Sequence, residues 1–160
     1  GVPIFELDIR HGAQFDLTKR HVKRTVRGWV RGGLIAAVWL GTPCSSWSRA
    51  RRGPPSGGPP PPLRSASYIS GLPNLSAADQ EKVKIGNLLT KFSSSLFSLC
   101  VSLDLPVALE NPHSSFIWLS PDLQALSRRR GVSHDYSDFC MDGTPWRKRT
   151  IFFFMDWISL

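Results

Sequence analysis

Apolar and polar residues recur along the chain in short blocks with different periods. Residues 2–9 (VPIFELDI) read as a strand with Glu6 and Asp8 at its carboxyl end. Gly12 closes it, and 15–18 (FDLT) reads as another short strand or strand end, with Asp16 or Thr18 placed to cap the next segment. Within 21–30, Val22, Val26, Trp29 and Val30 recur at helical spacing while Lys23, Arg24 and Arg27 face outward. This predicts a basic amphipathic helix, ended by Gly32 and Gly33. The unbroken apolar run 34–40 (LIAAVWL) then predicts a buried strand. Strand, helix, strand in this order is the pattern of a crossover between parallel strands.

Over 49–75 the pattern stops. Pro54, Pro55, Pro59, Pro60, Pro61 and Pro62 mix with Gly53, Gly57 and Gly58, a run that can neither pair in a sheet nor continue a helix. A loop this long is either a functional lid or a solvated linker. Residues 76–103 predict the longest helix, with Ser76 and Asp79 as a capping box. Its broad apolar face holds Val83, Ile85, Leu88, Leu89, Phe92, Leu96, Phe97, Leu99 and Cys100. A second buried strand at 107–109 ends in Glu110-Asn111-Pro112. A short helix at 118–130, an edge strand at 134–141, a turn at 142–145 and a last strand at 150–155 complete the pattern. Trp146-Arg147-Lys148-Arg149 leads into that last strand.

Composition sharpens this picture in two respects. The 160 residues, 41% hydrophobic, suffice for one domain with a real core. The formal charge of +8 and pI near 10.0 imply a polyanionic partner, most simply nucleic acid. Cys44, Cys100 and Cys140 are widely spaced and odd in number, which fits neither a structural zinc site nor a disulfide framework. This points to a reducing, intracellular compartment, the nucleus in a eukaryote. His11, His21, His113 and His134 have no metal-ligand spacing, and no run is long and apolar enough to span a bilayer.

The turn Gly41-Thr42-Pro43-Cys44-Ser45-Ser46-Trp47-Ser48 comes directly after the apolar run. A Cys at a strand's carboxyl end stands where open α/β folds do chemistry; it is also a residue that often serves only as a small buried hydrophobe. A Cys–His hydrolase built on Cys44 and His113 would need a third, orienting residue, and none suggests itself.

Three stretches in fixed order, TPCSSWS, LENP and WRKRT before an aromatic strand, resemble the cytosine-5 nucleic-acid methyltransferases. The resemblance covers most of the chain. It implies an α/β fold, a Rossmann-like three-layer sandwich with a mostly parallel sheet. The chain would be a single partial catalytic domain over 1–160, lacking the family's first Gly-rich strand and its target-recognition region, and inactive alone. Cys44 would be the thiolate that attacks carbon 6 of cytosine and makes carbon 5 nucleophilic. Glu110 would hold ring nitrogen 3. Arg149, or else Arg147, would donate to the carbonyl oxygen of the base.

S-adenosylmethionine would give the methyl group, held by Glu6, Asp8, Asp16 and Pro43. The loop after Cys44 would close on the nucleic acid through Ser48, Arg49, Arg51 and Arg52, with Lys148 on the backbone as well. The resemblance thus implies a monomer acting on DNA, with RNA also open, a base flipped from its stack, and no metal or membrane. The alternative is a degenerate relative of mobile-element origin that keeps nucleic-acid binding without catalysis.

Overall fold

The structure, a computed structural model, describes residues 3–54, 58, 60–143, 145 and 147–155. It falls into two compact units, 1–36 and 37–160. The expected positions Pro55, Gly57, Pro59, Thr144 and Trp146 lie outside the described residues.

The first unit holds two short 3-10 turns, Ile9–His11 and Ala13–Phe15, and helix α1, Arg20–Arg31. The expected strand at 2–9 does not form over its described part. The Asp8 side chain instead accepts from the Arg10 backbone N–H at 2.9 Å and starts a 3-10 turn, a local bond that competes with strand pairing. Ile4 stays 91% exposed, so no core face recruits the segment. Likewise 15–18 is turn rather than strand. Phe5 packs edge-to-face on Phe15 and Trp29, with ring centres 5.9 and 5.6 Å apart. Helix α1 buries Val22, Val26 and Val30, as their spacing requires.

The second unit is a four-stranded sheet with helices. Strand β1 is Val38–Gly41, β2 is Val107–Pro112, β3 is Val132–Asp138 and β4 is Arg149–Met155; α2 is Ala77–Ser102 and α3 is Pro121–Ser127. The run at 34–40 yields only this short β1. Its first residue closes α1 through Leu34 N–H to Trp29 O at 3.0 Å, and Leu34 itself is exposed. Helix α2 connects β1 to a parallel β2, with Ser76 Oγ accepting from Asp79 N–H at its start. A 3-10 turn, Phe116–Leu119, splits the helix expected at 118–130, and Ser120 and Pro121 start α3 afresh.

Strand order is β1-β2-β4-β3. The sheet is mixed, not the mostly parallel sheet of a doubly wound fold: β4 is antiparallel to both β2 and β3. The cause is one strand. β1, β2 and β3 point one way, and the reversed β4 is wedged between two of them, so two of the three pairings become antiparallel.

Val107, Leu109, Ile151, Phe153 and Met155 supply the sheet's buried positions. Val83, Phe92, Leu96, Phe97 and Cys100 of α2 and Leu123 and Leu126 of α3 complete this core. Ile85 and Leu88, expected on the apolar face of α2, are both 37% exposed. Small residues replace them on the buried face: Gly86, Thr90, Ser93 and Ser94. They let the Cys44 turn and the long loop approach the helix backbone. No described helix is long and apolar enough to cross a membrane.

Candidate functional site

The site begins where β1 and β2 end. Gly41 lies opposite Glu110 in a parallel register, so the Cys44 turn and the Glu-Asn-Pro segment leave the sheet side by side. Asn111, 1% exposed, ties the two ends together: its Nδ2 donates to Thr42 O at 2.6 Å. Thr42 Oγ1 in turn donates to Ser93 Oγ of α2 at 2.7 Å. Trp47 N–H donates to Cys44 O at 2.9 Å, which closes the turn, and Trp47 O accepts from Phe116 N–H at 2.9 Å beyond β2. Cys44 is half-buried in this turn, Pro43 and Ser45 are exposed, and Ser46 and Trp47 are buried. By contrast Cys100 is fully buried in α2, where burial pushes its thiol up to about 11.

Arg64, from the Pro/Gly/Arg loop, is 1% exposed beneath the turn. Its Nε donates to Ser46 O at 3.1 Å and its Nη2 to Ser46 Oγ at 3.0 Å and Val83 O at 3.1 Å. Its Nη1 donates to Ile69 O at 2.5 Å and Asn87 Oδ1 at 2.7 Å. All these acceptors are neutral, and burial lowers this guanidinium to about 10, still charged at neutral pH. The loop's second half is thereby latched to α2, with Leu63 buried beside it and Leu72 N–H bonded to Leu63 O at 2.9 Å. An open groove of about 380 Å³ lies between loop and helix, lined by Leu72, Leu75, Val83, Lys84, Asn87 and Leu88 among others. None of the candidate residues reaches it.

The basic segment that leads into β4 and includes its first residue, Arg149, distributes its cations differently from one another. Lys148 Nζ lies 3.2 Å from Glu110 Oε1 and 4.7 Å from the Phe139 ring centre. Arg149 stacks over Tyr136 at 5.2 Å. Strand alternation accounts for this: Glu110 is opposite Phe152 and Pro112 opposite Thr150, so Arg149 belongs to the other face of the sheet. Arg147 pairs with Asp138 at 3.0 Å, and that hydrogen-bonded partner raises its guanidinium above the ordinary value. In the loop, Arg49 stacks on Phe116 at 4.4 Å, and Arg51 is tucked between Pro61 O at 3.0 Å and Asp79 at 4.0 Å. Ser48 Oγ accepts from Ala50 N–H, and Arg52 is exposed.

Glu6, Asp8 and Asp16 belong to the first unit. Glu6 meets His11 at 3.0 Å. Asp8 meets Arg10 at 2.7 Å, and the hydrogen bonds from Arg10 hold its carboxyl below the ordinary range. Asp16 accepts from Thr18 Oγ1 at 2.6 Å and Thr18 N–H at 2.8 Å, with Lys19 at 3.7 Å; these bonds, the Thr18 hydroxyl first, lower it too. Each carboxylate is spent within five residues of itself. The described residues of this unit therefore form no seat of free carboxylates for a ribose or an adenine. Among the described residues no group of three His, Cys, Asp or Glu could hold a metal.

Asn111 and Thr42 lie within the LENP and TPCSSWS stretches, which carry no cue to their hydrogen bonds, and Ser93, Arg64 and Gly86, which also support the site, lie in no motif. Only Gly86, a glycine inside a strong helix, carried a visible cue of close approach. No family model, no curated protein and no solved structure matches this chain.

Proposed function

We propose that the paired ends of β1 and β2 form the base-attacking half of a cytosine-5 methyltransferase-type site acting on DNA. The observation that carries this is the parallel register of Gly41 with Glu110, so that the turn holding Cys44 begins at the same end of the sheet as Glu110. The Cys44 thiolate adds to carbon 6 of a cytosine, forming the S–C6 bond. The electron pair of the 5,6 double bond moves to carbon 5, which takes a proton from water. Glu110 holds ring nitrogen 3, and the Lys148 ammonium beside it balances charge at the adjacent carbonyl oxygen. Loss of the original carbon 5 hydrogen as a proton and cleavage of S–C6 restore the base. In the resembled family this addition precedes methyl transfer. An intracellular place of action, the nucleus in a eukaryote, goes with a nucleic-acid substrate.

Release of tritium from oligonucleotides containing 5-tritiated cytosine tests the proposal without any cofactor. Release by the wild type and its loss in Cys44→Ser support it. No release above that of Cys44→Ser refutes it.

The Lys148–Glu110 contact also favours a second reading, a nucleic-acid-binding relative without catalysis, because the ammonium occupies the carboxylate that a base would need. That reading predicts salt-sensitive retention of oligonucleotides with no tritium release.

A further inference from the structure

Helix α1 carries Arg20, Lys23, Arg24, Arg27 and Arg31 and no acid. At 3.6 residues per turn, Arg20, Arg24, Arg27 and Arg31 fall within an arc of about 60°. Arg20, Arg24 and Arg31 are exposed, and Arg27 and Lys23 are partly so. No Asp or Glu occurs between Asp16 and Asp79, while ten of the chain's twenty Lys and Arg lie in that interval. Asp16, the nearest acid before the helix, is already engaged by Thr18 and Lys19.

This pattern works against the helix. Like charges four residues apart, Arg20 with Arg24 and Arg27 with Arg31, repel. Cations at the amino end oppose the macrodipole. Lys19, at the cap position, makes no side-chain capping bond. What holds α1 is the burial of Val22, Val26 and Val30, at 4–6% exposure. Arg20, Arg24 and Arg31 project from this face exposed, where a polyanion can reach all three.

We infer that the Arg20–Arg24–Arg31 face of α1 is a docking surface for the phosphate backbone of nucleic acid. The stripe spans about 16 Å, over which a duplex carries roughly ten phosphates. A lipid surface fits poorly, because a membrane-bound amphipathic helix offers its apolar stripe to the lipid, and here the valines are already buried. The surface does not depend on the chemistry of Cys44, so it can stand if no tritium is released, and fall if tritium is.

The test is fluorescence anisotropy of a labelled 20-base-pair duplex titrated with the full chain across a salt series. The triple variant R20Q/R24Q/R31Q keeps helix propensity and removes repulsion, so it folds at least as well, as a thermal melt will verify. Its binding weakens at least tenfold, and the slope of log affinity against log salt falls by about 2.7, or 0.9 for each lost contact. The charge-keeping triple R20K/R24K/R31K retains the slope. The inference is overturned if the glutamine triple binds with unchanged slope and affinity, if the wild type does not bind, or if phosphatidylserine vesicles bind as tightly as the duplex.

Discussion

The Arg64 guanidinium sits over Trp47, its central carbon 3.3 Å from the ring centre, and both residues are buried. A residue that reads as one more loop cation is thus a structural bolt between the loop, the Cys44 turn and α2. The planar fork matters as much as the charge, since it meets five acceptors at once. Arg64→Ala is expected to cost about 2–4 kcal/mol in urea unfolding, because it strands buried carbonyls as well as losing the stack. Arg64→Lys recovers less than half of that. Equal stability of the lysine variant and the wild type would show that charge alone is needed.

Gly86 lies on α2 directly beneath this bolt. A Cβ there would collide with Ser46 Oγ and would lie 3.0 Å from Arg64 Nη2 and 3.2 Å from Trp47 Nε1. Helix propensity alone favours alanine over glycine by about 1 kcal/mol. The collision should reverse the sign, so Gly86→Ala destabilises by about 1–3 kcal/mol. In the double variant G86A/S46A, the nearest obstruction is gone and part of the loss returns. A stabilising Gly86→Ala, read by the urea midpoint, would mean that the turn does not press on the helix as described.

These two positions mark the limit of what the sequence discloses. Helix α2 is legible because Ser76 and Asp79 make a local cap and its apolar positions recur. Strand β2 is legible because a short apolar run ends in polar residues. The direction of β4 is not, since nothing in IFFF distinguishes a strand running up from one running down; the connection from β3 decides it. The segment 2–9 alternates like a strand, yet the Asp8 side chain diverts it into a turn. The same holds within the site. Cys44 and Glu110 stand out by their neighbours in sequence. Lys148 against Glu110 and Arg149 against Tyr136 depend on strand register, which the order of residues alone does not specify.

Asp16 offers a pH-dependent prediction. Its carboxyl lies below the ordinary 3.8 in the folded chain, chiefly through the Thr18 hydroxyl, and reverts to the ordinary value on unfolding. The unfolded chain therefore binds the proton more readily. The Asp16 contribution is present above about pH 4 and is lost as pH falls through the lower, folded value. Asp16→Ala should cost about 1 kcal/mol at pH 7, from the lost turn at the start of α1. Thermal melts should show the gap between variant and wild type narrowing below about pH 4. A gap that stays constant or widens in acid would contradict this assignment.

Lys148 and Arg149 separate the geometric reading of the site from the one that motif order alone provides. Motif order assigns Arg149 to the carbonyl oxygen of the base, whereas in the fold Arg149 stacks over Tyr136 on the face opposite Glu110. Lys148 lies 3.2 Å from Glu110, and ring nitrogen 3 and the carbonyl oxygen of cytosine are held on adjacent ring atoms. One ammonium and one carboxylate side by side suit that edge. Removing a preorganised donor from a developing oxyanion costs about 100-fold or more in rate. Lys148→Met should therefore slow tritium release by about that factor, and Arg149→Met by at least tenfold less. Circular dichroism of both variants separates this from misfolding, since neither side chain is buried. If Arg149→Met proves the more damaging of two folded variants, the donor is Arg149, and the contact between Lys148 and Glu110 is a resting ion pair that opens when the base enters.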